Sequence, residues 1–173
     1  MNHSQASFAP KYLLTVIALL SAGALVFALV AQHLLGMQPC AWCIFQRLLV
    51  LGFIALAILG LILVWLKLYY LVLGLSFILL ITGIGGIYTA WHQFSFAAKS
   101  FSCELTFADK LISYLGLEQL APSVFGIYAT CMDAQVNLFG IDFALWSLGF
   151  FVVVAILAFV LAWFVQNEIK KQN

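Results

Sequence analysis

The chain has 173 residues, of which 66% are hydrophobic and 8% charged, with a formal net charge of +1 and a mean hydropathy of +1.16. A soluble globule with a solvated surface is excluded by that balance, and the near-zero charge offers no basic face for nucleic acid. What remains is an integral membrane protein with room for one small bundle over residues 1–173, read as a single membrane domain.

Crossing a bilayer takes about 20 apolar helical residues. Runs of that kind predict four transmembrane helices over 13–35, 44–66, 68–91 and 143–165, the second with its uncharged stretch at 48–66. The fold class is therefore all-α, a membrane four-helix bundle. The first run outlasts the roughly 7 to 15 residues of a secretory signal core and lacks a strongly basic leader, so it is expected to be retained.

Orientation follows from basic residues, which short loops keep on the cytoplasmic side. Lys11, Lys67, Lys170 and Lys171 flank one side of the predicted spans, and Glu104, Asp109, Glu118, Asp133 and Asp142 fall on the other, together with Arg47, Lys99 and Lys110. Both termini are expected in the cytoplasm, with loops 36–43 and 92–142 outside. Indoles prefer the interface, and Trp65 and Trp163 mark one set of predicted ends while Trp42, Trp91 and Trp146 mark the other.

The long loop usually implies a task. Within it, Leu111, Ile112, Leu115 and Leu120 recur at near-helical spacing among Asp109, Lys110, Ser113 and Glu118, predicting a short amphipathic helix over 107–120 that ends near Pro122. Two placements stay open: on the membrane surface, or folded onto a small core of the loop itself. No internal repeat or low-complexity segment is present.

All four cysteines lie on the predicted outer side, where disulfides persist and thiols exchange. Cys40 and Cys43 form a C-x-x-C pair, a spacing that lends one thiol the reactivity of a thiolate. Pro39 holds the residue before it out of the helical region, so the second helix starts at the pair, and its first-turn N–H groups and dipole favour negative charge on sulfur. Arg47 lies one helical turn beyond Cys43 and adds a positive charge on the same face. Cys43 is thus the candidate thiolate that meets an electron acceptor.

Arg47 at the start of a span is costly unless it snorkels to headgroups or finds a partner. Its register with Cys43 favours a role in holding an anionic or oxygen-rich cofactor group. Cys103 and Cys131 could be a structural staple, worth roughly 3 kcal/mol or somewhat more in the chain-entropy model. Beside a C-x-x-C pair they can instead exchange with it through mixed disulfides. A zinc site fits poorly, because Cys103 and Cys131 do not make a second C-x-x-C knuckle.

Gln32-His33, then Pro39-Cys40-Ala41-Trp42-Cys43, then Arg47, resembles the run joining the first two helices of the DsbB family of disulfide-forming membrane proteins. Cys131 followed by Gly140, Asp142 and Trp146 is similar to that family's approach to its fourth helix. The order, C-x-x-C before loop pair, is opposite to that of vitamin K epoxide reductase-like proteins. Gln46, Val136 and Ala144 depart from the family pattern, standing where many members carry an acid, an aromatic and a proline.

The resemblance implies a thiol:quinone oxidoreductase of the bacterial inner membrane. In it a Cys103–Cys131 disulfide oxidises a periplasmic DsbA-like thioredoxin-fold partner through Cys103. Cys131 then attacks Cys40, and Cys43 passes electrons to a membrane quinone, ubiquinone or menaquinone, near Arg47. His92, near the end of the third span, carries over as a weaker quinone-binding candidate, and a boundary histidine is its plainer reading. His33 is expected to be a polar end to the first helix, with no catalytic part. Tyr69 and Tyr70 are expected in lipid-facing or core packing, and Gly83, Gly85 and Gly86 in close helix approach. Two rivals remain from sequence: a disulfide-stapled scaffold without turnover, and a relay running outward as a reductant.

Overall fold

The structure is a computed structural model that describes residues 8–95, 107–130, 133–134, 136–138 and 140–172. Four helices are long and apolar enough to cross a membrane: α1 (Phe8–Leu34), α2 (Ala41–Trp65), α3 (Tyr69–Ser95) and, last in the chain, α7 (Phe143–Gln172). Between α3 and α7 come three short helices, α4 (Phe107–Tyr114), α5 (Leu117–Leu120) and α6 (Pro122–Phe125), and a two-stranded hairpin of β1 (Asn137–Leu138) and β2 (Ile141–Asp142). Up-and-down connection of the long helices gathers the α1–α2 hairpin and the α3–α7 connection at one end of the bundle.

Local chemistry sets each reversal. Gly36 takes a left-handed φ of +67°, and the Met37 N–H closes the end of α1 on the Ala31 carbonyl at 3.1 Å. Cys40 caps α2 in extended conformation (φ −90°, ψ 173°), its carbonyl accepting the Ile44 N–H at 3.1 Å, so the helix opens at the C-x-x-C pair as predicted. At the far end of α2, Lys67 N–H donates to the Val64 carbonyl and Leu68 N–H to the Leu63 carbonyl, with Lys67 itself at φ +60°. Those paired bonds are a Schellman closure, and they make the turn into α3 as tight as the sequence implies.

Leu14, Ile17, Phe53, Val72, Leu79, Val154 and Leu161 fill the centre of the bundle, and Leu19, Ile58, Ile81, Ile156 and Phe159 point outward as apolar surface suited to lipid. The most extensive helix interface joins α3 to α7. It closes over two of the three glycines expected there: a Cβ on Gly86 would stand 2.2 Å from the Phe151 ring and one on Gly83 3.1 Å from the Ala155 Cβ. Gly85 faces nothing within 4 Å. Tyr69 is buried in the core and Tyr70 exposed, so the two tyrosines divide between the two expected kinds of packing.

Two expectations need correction. The amphipathic segment over 107–120 is two short helices rather than one, because Gly116 turns the chain with φ +62° after α4, and the third, α6, starts at Pro122, where the prediction ends. Ala108 and Ile112 of α4 are fully buried against Cys40, Ala41, Trp42, Ile44 and Phe125, whereas Leu115 and Leu120 are exposed. The segment thus shares a core with the mouth of α2. Trp42 is the second correction: it lies at a helix end, as expected of an interfacial indole, but only 7% of it is exposed, because this small core covers it.

The glycine contacts make a direct prediction. Gly86→Ala overpacks the Phe151 ring and should destabilise the bundle by about 1–3 kcal/mol, whereas Gly85→Ala should melt like the parent when both are followed by thermal unfolding in detergent.

Candidate functional site

At the start of α2, Cys40 is buried and Cys43 half-buried, with the Cys40 thiol directed at the Cys43 sulfur 3.5 Å away. From α3, Gln93 Nε2 donates to Cys43 Sγ at 3.2 Å and reaches Cys40 Sγ at 3.7 Å. The Gln93 oxygen is in turn held by Gln46 Nε2 at 2.8 Å. Both amides are buried, so a polar thread runs from α2 through α3 to the two sulfurs.

Arg47 does not snorkel, and among the described residues it reaches no carboxylate. It is 6% exposed. Its Nη1 donates to Gln32 Oε1 and to the Val124 carbonyl at 2.9 Å, and Nη2 donates to the Ala28 carbonyl at 3.3 Å. Burying a guanidinium is costly unless oxygens replace its water, and here α1 and α6 supply them. Three of the five N–H donors of a guanidinium are used this way.

The Gln32-His33 pair completes the same junction. Gln32 Nε2 donates to the Ser123 carbonyl at 3.4 Å, and His33 Nε2 lies 3.1 Å from that oxygen. His33 is therefore a polar helix end, as expected, with a specific partner in the loop. Three residues past α6, the Tyr128 N–H donates to the Pro39 carbonyl at 3.1 Å, which ties the loop to the residue before Cys40.

Between α1, α2 and α7 lies a cleft of about 200 Å³. Ala24, Ala28 and Ala31 form its α1 wall, Phe143, Trp146, Phe150 and Phe151 its α7 wall, and Cys43, Gln46 and Arg47 bring polar atoms from α2. Ala134 and Val136 close it from the loop. Asp142 Oδ1 accepts the Ala144 N–H at 2.8 Å and so caps α7, and Trp146 Nε1 donates to the Leu138 carbonyl at 3.3 Å, bracing the hairpin over the cleft. Apolar walls with a few convergent donors suit a flat, lipid-soluble molecule bearing carbonyl oxygens.

His92 faces elsewhere. Its ring packs on Trp42 at 4.8 Å between centroids and near Tyr88 at 6.1 Å, on the α3 side of the C-x-x-C turn, and it does not line the cleft. Cys103 and Cys131 lie outside the described residues. Gln93 is the site residue that sequence reasoning passed over; a lone amide near the end of an apolar span was the available signal. The carbonyls of Ser123 and Val124 carry no side-chain signature at all.

Fold and site together define a small four-span membrane protein with a dithiol at the mouth of an intramembrane cleft. The family model described as Disulfide bond formation protein DsbB matches residues 10–161, and the chain belongs to that family. It is 33% identical to Disulfide bond formation protein B 2 of Pseudomonas aeruginosa over 74% of this chain and 76% of that one. It is 28% identical to Disulfide bond formation protein B of Ralstonia nicotianae (82% of this chain, 86% of the relative). The corresponding Photorhabdus laumondii protein is 29% identical across 91% of this chain and 90% of its own length. The chain is thus a membrane protein of disulfide-bond formation.

The loop junction is testable without assaying activity. Replacing Gln32 and His33 by Ala should weaken the α6 attachment by about 1 kcal/mol per lost bond, seen as roughly five- to thirtyfold faster amide hydrogen exchange at residues 123–128 with little change in α3.

Proposed function

We propose that the protein is a quinone-dependent thiol oxidase that reoxidises a periplasmic DsbA-like thioredoxin-fold protein, with Cys40, Cys43, Cys103 and Cys131 as its redox residues. The observation carrying this reading is that Cys43 and Arg47 share one wall of an apolar cleft between membrane helices. Quinone, when bound, supplies a two-electron acceptor strong enough to drain the relay. Arg47 would hold one of its oxygens with donors not spent on Gln32, Val124 and Ala28, and the alanine and aromatic walls would hold its ring. Ubiquinone and menaquinone both meet that description.

The thiol steps balance within the chain and its partner. A partner thiolate attacks Cys103 of the Cys103–Cys131 disulfide, and Cys131 leaves as a thiolate. The second partner thiol resolves the mixed disulfide. Cys131 attacks Cys40 of an oxidised Cys40–Cys43 pair, and Cys43 leaves with the electron pair. Cys103 then displaces Cys40, restoring the loop disulfide and leaving the C-x-x-C pair as a dithiol. The Gln93 N–H aims at Cys43, which favours that sulfur as the leaving group.

Chain geometry supports the middle step. Tyr128 is bonded to Pro39 and Ala134 lines the Cys43 cleft. Each is three residues from Cys131, a stretch of at most about 11 Å. We assign the cysteines to the periplasmic side of the inner membrane, with both termini cytoplasmic, on the distribution of Lys11, Lys67, Lys170 and Lys171. His92 is assigned to packing of the C-x-x-C turn through Trp42 rather than to quinone.

Quinone reduction by the purified protein with a reduced thioredoxin-fold partner tests the reading. Cys43→Ser and Cys103→Ala should fall to the uncatalysed rate, and Arg47→Met should raise the quinone KM about tenfold, the scale of one charge-assisted hydrogen bond. Undiminished turnover in either cysteine variant overturns the proposal, and absence of any transient adduct through Cys103 favours a stapled scaffold.

A further inference from the structure

We propose that Gln46 is a positioning residue that fixes which end of the Gln93 carboxamide meets the C-x-x-C pair, so that an N–H rather than an oxygen faces Cys43 as negative charge develops on its sulfur. The inference rests on the redox role given above to Cys40 and Cys43, and it is independent of quinone.

A carboxamide has a donor end and an acceptor end, and half a turn about its last torsion exchanges them. Beside a thiolate the two ends are opposite in effect: the N–H stabilises charge on sulfur, and the oxygen repels it or holds the sulfur as a protonated donor. Gln93 shows its nitrogen to the sulfurs, 3.2 Å from Cys43. Its oxygen is pinned from behind by the Gln46 N–H at 2.8 Å. Gln46 and Gln93 are only 5% and 6% exposed, so water does not readily substitute for either partner.

Gln46 lies three residues past Cys43, one turn along the same helix, and Gln93 comes from α3. The pair thus carries orientation from the backbone of α2, across to α3, and back to the sulfur. Residue 46 needs an N–H directed at Gln93, and among the uncharged side chains of that length glutamine provides it. An apolar residue leaves the Gln93 amide free to reverse. An ionised carboxylate, which only accepts, draws the Gln93 N–H toward itself and turns the oxygen to Cys43.

Full-length protein in detergent, fully reduced, allows a test on the thiols alone. Iodoacetamide labelling of Cys43 is read on its own peptide by mass spectrometry, and the Cys40–Cys43 pair is equilibrated in glutathione buffers. Gln46→Leu should slow Cys43 labelling at neutral pH about tenfold. It should also raise the equilibrium constant for oxidation of the pair about tenfold, a potential lower by about 30 mV. Gln93→Leu should do the same, and the double variant should be no worse than Gln93→Leu; Gln93→Met serves if the leucine variant does not fold. Gln46→Glu should share the defect while its carboxyl is ionised and recover toward the parent rate, compared at each pH, once protonation restores a donor. Parent-like labelling and redox equilibrium in Gln46→Leu, or additive defects in the double variant, overturn the proposal. A protein that reduces no quinone yet shows the coupled Gln46 and Gln93 effects would sink the oxidase reading and leave this one standing.

Discussion

A single buried cation organises this end of the molecule. Among the described residues Arg47 has no carboxylate partner, and a guanidinium in that setting demands oxygens from whatever packs on it. The Ala28 carbonyl and the Gln32 side chain answer from α1, and the Val124 carbonyl from α6. Because one of those oxygens belongs to the loop, satisfying the charge also seats the loop. His33 and Gln32 then secure the adjoining Ser123 carbonyl, and Tyr128 meets Pro39. The segment leading to Cys131 is moored beside Cys40 by the same charge that polarises the cleft.

Packing elsewhere serves that arrangement. Phe151 fills the space opposite Gly86 and also lines the cleft, so the close approach of α3 and α7 sets the cleft's depth. Gln93 rides on the same helix as Gly86. Its hydrogen bond to Cys43 therefore depends on how tightly α3 is held between α2 and α7. The small core of Trp42, Ala108, Ile112 and Phe125 performs a parallel service on the outside of the C-x-x-C turn.

The four spans were legible because their signal is compositional: long uncharged runs can satisfy their backbone in lipid only as helices. The start of α2 was legible from Pro39, and the importance of Arg47 from its register with Cys43. The break in the amphipathic segment was not, since helical spacing of Leu111, Ile112, Leu115 and Leu120 continues across Gly116 as though the chain ran straight. Trp42 misled for a related reason: its position at a helix end was correct, but what lies above it comes from residues more than sixty positions away. Contacts through Ser123 and Val124 are made by backbone oxygens, which every residue has and no pattern distinguishes. Gln46 was visible as a departure from its family, without a hint that its partner would be another amide on α3.

The two sulfurs of the C-x-x-C turn have unequal access. Cys43 opens on the cleft, while Cys40 is 1% exposed, sealed within the core that α4 and α6 help to build. Disulfide exchange requires a nucleophile to approach the sulfur it strikes, and bulk tripeptide thiols have no route to this one. A nucleophile delivered by the protein's own loop is not so limited. The lid over Cys40 thus acts as electrical insulation, keeping small reductants that wash past the membrane from feeding their electrons into the pair through this sulfur.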